Sequence, residues 1–193
     1  MISDEYRCIF IHAPKCAGES IETVFLGRPF NITEYEGHPE KHWGVREIST
    51  VYPEKFSAYF SFSVVRNPWE RVISWVRYRD MRWGRTQGTI STRLHDDLHD
   101  ARFVQYMLKH SFVNLLVLDG RIAVDRIIRM ENLQLEFPEV CKSLGMGDVV
   151  LPHSNRTTSG NYSEHYNDNT RERVATLFEP DIRLFGYEFQ VAD

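Results

Sequence analysis

Cysteine is scarce and unpatterned in this chain. Cys8, Cys16 and Cys141 stand far apart, odd in number, with no CxxC pair and no Cys/His spacing suited to zinc. No disulfide framework can be read from them, and a reducing compartment is the simpler expectation. Also absent is any apolar run of the roughly 20 residues that a membrane span requires. The opening residues Met1-Ile2-Ser3-Asp4-Glu5 are acidic and run straight into a strand-like stretch, unlike a secretory signal. A cytoplasmic protein is therefore expected, and the N-x-S/T sequons at Asn31, Asn155 and Asn161 read as chance matches. Positive charge is not in excess: 23 Lys and Arg against 27 Asp and Glu leave a net charge of −4. That balance argues against a nucleic-acid partner. Internal repeats, low-complexity tracts and linkers are missing too.

The 193 residues, 42% hydrophobic and 26% charged, are enough for one domain spanning residues 1–193 with a buried core. Cys8 to Ala13 (CIFIHA) is a short, almost continuous apolar run closed by Pro14. This pattern suits a central parallel strand covered on both faces. After the Pro-Lys-Cys-Ala-Gly turn, Ile21, Val24 and Phe25 recur at helical spacing. The same grammar returns at Phe60 to Val65 (FSFSVV), which Arg66-Asn67-Pro68 breaks. Trp69, Val72, Ile73 and Val76 then form one apolar face of a helix that Pro68 can start. Lys41 to Ser49 reads as a short helix burying Val45 and Ile48. Further helices are expected over Ala101 to His110, Leu133 to Leu144 and Thr170 to Phe178, and a strand over Asp125 to Met130. Leu151 to Asn169 reads as a long polar loop, and the apolar residues of Asp181 to Tyr187 as docking on the core. Alternating strands and helices predict an α/β fold, a three-layer P-loop-like domain whose central parallel sheet is flanked by helices. Ligands in such folds bind beyond the C-terminal strand ends, where the loops at Lys15 and Arg66 fall.

A loop joining a buried strand to a helix start offers backbone N–H groups and a positive helix end to an anion. Gly18 permits close approach, Lys15 supplies charge and Ser20 a hydroxyl. The plain alternative is a tight turn with an exposed lysine. A magnesium-nucleotide P-loop needs Gly-Lys-Ser/Thr adjacent, but Lys15 precedes Gly18 and no G-x-x-x-x-G-K-[ST] occurs. Arg66, Ser74 and Arg71 are candidates to converge on a second phosphate, against the reading of a surface arginine and a solvated serine.

Phe10-Ile11-His12-Ala13-Pro14-Lys15-Cys16-Ala17-Gly18-Glu19-Ser20-Ile21 resembles the 5′-phosphosulfate loop of sulfotransferases that use 3′-phosphoadenosine-5′-phosphosulfate (PAPS). Val64-Val65-Arg66-Asn67-Pro68-Trp69-Glu70-Arg71-Val72-Ile73-Ser74 is similar to their 3′-phosphate segment. The likeness is to the carbohydrate-type branch that includes the heparan 2-O-sulfotransferases. It continues weakly through Arg129 to Leu133, Leu151 to Thr157 and Asp181 to Tyr187. The resemblance implies that Lys15, Cys16, Ala17, Gly18, Glu19 and Ser20 cradle the phosphosulfate. It also implies that Arg66 and Ser74 hold the 3′-phosphate, with product PAP, while Arg156 is a further donor contact. Where the family commonly has Thr, Cys16 and Glu19 depart from the pattern, and the Glu19 side chain is expected to face solvent or a cation.

Sulfuryl transfer needs a base for the acceptor hydroxyl, and histidine suits neutral pH. His42 is the candidate, placed as the family branch places its catalytic histidine. His38 and Glu22 are the alternatives, and a solvated or structural histidine is the plain reading. Arg77, Arg79, Arg82 and Arg85 read first as a solvated helix end, second as an acceptor-binding lid. The expected function is sulfuryl transfer from PAPS to a hydroxyl of a carbohydrate or small molecule, without metal. The alternatives are an inactive PAP-binding module and a P-loop nucleoside or sugar kinase.

Overall fold

The structure is a computed structural model, and it describes residues 1–29, 31, 40, 42–151 and 161–191. In chain order its main elements are β1 (Ile2–Ser3), β2 (Cys8–Ile11), α1 (Gly18–Leu26), α2 (Val45–Val51), α3 (Pro53–Ala58) and β3 (Phe60–Val65). Next come α4 (Pro68–Trp83), α5 (Ile90–His99), α6 (Ala101–Lys109), β4 (Val117–Leu118), β5 (Arg121–Ile122) and β6 (Arg126–Arg129). The last are α7 (Leu133–Ser143), α8 (Asp168–Leu177) and α9 (Glu179–Phe185). Among the described residues no helix is long and apolar enough to cross a membrane. The chain divides into two compact units, Met1–Val65 with Asn114–Asn155, and Arg66–Val113 with Arg156–Asp193.

The first unit carries a sheet ordered β1-β2-β3-β6, in which β2, β3 and β6 run parallel and β1 is an antiparallel edge. Every residue of β2 is buried, as a strand covered on both faces must be. Phe10 and Phe62 stack across the parallel pair at 5.0 Å, and Phe25 of α1 and Phe137 of α7 close on Phe62 at 6.0 and 6.3 Å. Polar groups inside this core are partnered. Ser63 Oγ donates to the Ile11 carbonyl at 2.8 Å, while Asp125 Oδ2 accepts from the Ser61 amide at 2.7 Å and its hydroxyl at 2.8 Å. Burial pushes the thiols of Cys8 and Cys141 up, to about 12 and about 11.

The helix expected over Lys41 to Ser49 begins later, at Val45, and extends to Val51. Gly44 precedes it, with its amide donating to Glu47 Oε2 at 3.0 Å, and Val45 and Ile48 are buried as their spacing predicts. Lys41 lies outside the described residues. The strand before α7 is shorter than expected, Arg126–Arg129, with Met130 opening a 3-10 turn and the Asp125 side chain bonded to Ser61.

The second unit is helical and built around α4. Pro68 occupies its first turn, and Asn67 caps it by accepting from the Trp69 amide at 3.1 Å. Its apolar face of Trp69, Val72, Ile73 and Val76 packs with Leu94 and Leu98, Phe103 and Met107, and Val174. Arg71 is only 1% exposed and does not join a phosphate cluster, contrary to one expectation. Its guanidinium lies between the rings of Trp75 at 4.5 Å and Phe112 at 4.2 Å, and Nη2 donates to the His110 carbonyl at 2.7 Å. A delocalised, weakly hydrated cation tolerates aromatic faces as an ammonium would not.

In the arginine run Arg82 is exposed, as a solvated helix end would be, but Arg79 and Arg85 are not. Arg79 and Arg85 pair with the buried carboxylate of Asp97 at 2.8 and 2.9 Å, and Arg93 reaches Asp80 at 2.9 Å. These side chains tie α4 to α5. Arg77 instead approaches His165 Nε2 at 3.2 Å. Removing the shared carboxylate leaves two guanidiniums short of a partner in a half-buried site. Asp97→Asn is expected to lower unfolding free energy by about 3 kcal/mol. Urea unfolding with a wild-type midpoint would show that the network contributes nothing.

Candidate functional site

In the first unit, β2 ends at Ile11 and α1 begins at Gly18, so the intervening loop is short and bent hard. Lys15 and Ala17 take positive φ, 66° and 58°, whereas Cys16 between them does not. Left-handed geometry costs an L-residue roughly 1 kcal/mol or more each time. Alternating hands turn successive N–H groups toward one side, which makes an anion nest. Ala17 is the helix N-cap and has no side chain with which to satisfy the first amides of α1. Lys15 is half-buried beside this nest, and Ser20 is buried in the first helical turn.

Two loop residues have contacts inside the protein that the sequence did not disclose. The Cys16 side chain is fully buried, its Sγ 3.6 Å from the Pro14 carbonyl, so the thiol stabilises the turn from inside. Gly18 was read as opening the way for an anion. The described residues show the demand coming from the protein's own side: a Cβ at Gly18 would lie 1.8 Å from His12 Nε2. Glu19 is half-buried, and its carbonyl accepts from the Thr23 hydroxyl at 2.8 Å.

His12 is the residue that sequence reasoning passed over, read only as part of an apolar run. Its imidazole is buried, with Nδ1 2.9 Å from Glu22 Oε1. Burial holds its pKa below the ordinary 6.5, against the opposing hydrogen bond and charge of Glu22. A neutral His12 therefore donates from Nδ1 to the carboxylate. Glu22, one of the alternative bases, is 3% exposed and turned inward to this bond. The polar break in CIFIHA was the signal available, since a histidine in a fully buried strand end needs a buried partner.

His42 is brought to the same place. Its Nδ1 donates to the His12 carbonyl at 2.9 Å, and the two rings meet edge to face at 4.7 Å. Because a carbonyl oxygen only accepts, Nδ1 carries the proton and Nε2 is the basic nitrogen. The backbone at His42 is itself left-handed, φ 58°. His38 and Arg156 lie outside the described residues.

In the second unit, Arg66 follows the end of β3 and is 8% exposed, with Nη2 donating to Glu70 Oε1 at 2.7 Å. Ser74 is buried on α4, two turns beyond. Asn67 is held at both ends, its Nδ2 donating to the Glu188 carbonyl at 2.8 Å. The carboxylate of Glu70 thus orients the guanidinium that the motif singled out.

The model of the sulfotransferase family matches residues 1–188. Carbohydrate sulfotransferase 10 of Xenopus laevis is 23% identical over 236 aligned residues, covering 97% of this chain and 66% of that protein. The chain thus spans just under two thirds of that relative's length. A solved sulfotransferase from Alicyclobacillus acidocaldarius aligns with a TM-score of 0.41 and 15% identity, over 96% of this chain and 90% of its own.

Two measurements check the geometry around His12. Gly18→Ala should cost about 2 kcal/mol or more of stability in the wild-type background, through overpacking against the ring. In a His12→Ala background the same change should cost under about 1 kcal/mol, and equal costs in both would refute the contact. The second concerns pH. The unfolded chain takes up the His12 proton first, so its stabilisation is complete above about 6.5 and lost as pH falls through the lower folded value. Wild type should therefore lose more stability than His12→Gln on acidification, as read by urea unfolding.

Proposed function

The chain belongs to the sulfotransferase family, and from that premise we propose that it moves a sulfuryl group from PAPS to a carbohydrate hydroxyl, acting as one domain. The kinase and inactive-module alternatives are not favoured by this membership. The nest formed by Lys15 to Gly18, with its positive helix start and lysine, suits the phosphosulfate end of the donor. Arg66 and Ser74 take the 3′-phosphate by their motif, and the buried, oriented guanidinium is suited to it. A carbohydrate acceptor is supported by the name of the Xenopus relative.

When bound, the donor supplies the sulfuryl group and departs as adenosine-3′,5′-bisphosphate. The residues of this chain handle the proton and the charge. His42 Nε2 takes the proton of the attacking hydroxyl, which frees its oxygen electrons to form the new S–O bond. The Lys15 ammonium and the loop amides meet the negative charge gathering on the 5′-phosphate oxygen as its bond to sulfur breaks. The observation that carries this reading is the bond from His42 Nδ1 to the His12 carbonyl, 2.9 Å. It makes the other nitrogen a base beside the loop that bears Lys15.

Calorimetry with adenosine-3′,5′-bisphosphate tests the donor assignment. Arg66→Ala should weaken binding about 10- to 100-fold, the loss of a charge-assisted contact. Unchanged affinity would remove the 3′-phosphate role. His42→Ala should lower turnover of PAPS, assayed with a panel of carbohydrate acceptors, by about a hundredfold or more. Its bisphosphate affinity should stay within about twofold of wild type, since a base contributes to the transition state rather than to donor binding.

A further inference from the structure

The buried His12–Glu22 pair has no role in the chemistry above, yet it ends against the residue assigned as base. Resting on the reading of His42 as that base, we propose that His12 and Glu22 are positioning residues that hold the His42 imidazole with Nε2 toward the acceptor. A ring anchored by one hydrogen bond still pivots about it. Here the bond to the His12 carbonyl is joined by a second contact, the His12 ring meeting His42 at an interplanar angle of 85°. Together a fixed acceptor and a perpendicular wall leave the imidazole one orientation.

The wall serves only if it is itself immobile, and three contacts see to that. Glu22 holds Nδ1 of His12 at 2.9 Å, Phe10 stacks on the ring at 5.6 Å, and Nε2 occupies the space that Gly18 leaves empty of a Cβ. The charged groups acting on His12 are Glu22, the Met1 ammonium and Glu19. Of these, Glu22 accepts the hydrogen bond from the ring. On the other side, the segment carrying His42 is pinned by Gly44, where a Cβ would lie 2.8 Å from the Leu115 carbonyl oxygen. Misplacing a reacting group by about 1 Å is enough to cost a hundredfold in rate.

The test compares Glu22→Leu, which keeps volume and removes the acceptor, with Glu22→Gln, whose amide oxygen still accepts from His12. Turnover of PAPS with the same carbohydrate panel should fall about 10- to 100-fold in Glu22→Leu and largely return in Glu22→Gln. Affinity for adenosine-3′,5′-bisphosphate should stay within about twofold in both, because neither substitution changes a residue assigned to the donor. Spectra of ¹⁵N-histidine-labelled protein should show His42 as a single Nδ1–H tautomer in wild type and Glu22→Gln, and as a mixture in Glu22→Leu. A folded Glu22→Leu with wild-type turnover overturns the proposal, as does a loss that appears in affinity alone. If Glu22→Leu fails to fold, the wild-type spectra still decide, since a His42 proton on Nε2 is incompatible with this arrangement. Normal turnover in His42→Ala would defeat the base reading, and the tautomer measurement would then separately support or refute the orienting role.

Discussion

The buried hydrogen bond between His12 and Glu22 constrains the first unit from within. It places a neutral imidazole at the end of a strand whose other residues are apolar, where an unpartnered ring would leave a polar atom unsatisfied. Once the ring is there, residue 18 must be glycine, and α1 must start in the register that turns Glu22 inward. The loop between carries two residues of left-handed backbone, Lys15 and Ala17.

The second unit solves a different problem, that of holding a long helix carrying many arginines. Arg71 is placed between two aromatic faces and a carbonyl, and Arg79, Arg85 and Arg93 are consumed by Asp97 and Asp80. Charge that would otherwise be solvated becomes the glue between helices. Asp181 belongs to the same arrangement, accepting from the Phe112 and Val113 amides at 2.8 Å each while burial pushes its carboxyl up. Arg66 just before α4 and Ser74 within it are both buried.

Cysteine usage is consistent with this division of labour. Cys8, Cys16 and Cys141 are all buried thiols, none in a disulfide. Cys16 stands where the resembling motif has a hydroxyl, and its inward placement means that the substitution costs the loop none of its outward amides. Glu19 keeps the same backbone donor, as any residue but proline would.

Local pattern was enough for much of this. The apolar run of β2, the break at Arg66-Asn67-Pro68 and the i, i+3, i+4, i+7 face of α4 each depend on neighbours a few residues apart, so they are written in the sequence. So were Lys15, Arg66 and Ser74 as candidates, through their places around strand ends and helix starts, and His42 through the family resemblance. The helix Ile90–His99 escaped notice because its buried residues are few and its charges look like a solvated patch until Arg79 and Arg85 meet Asp97. His12 with Glu22, His12 with Gly18, and His42 with the His12 carbonyl are separated by up to 30 residues. No periodicity encodes such pairs, since they arise only when strand, loop and helix are stacked. Composition and motif decided which chemistry this chain can offer; tertiary packing decided which nitrogen of His42 is basic and why residue 18 has no side chain, because both depend on atoms that only folding brings within van der Waals reach.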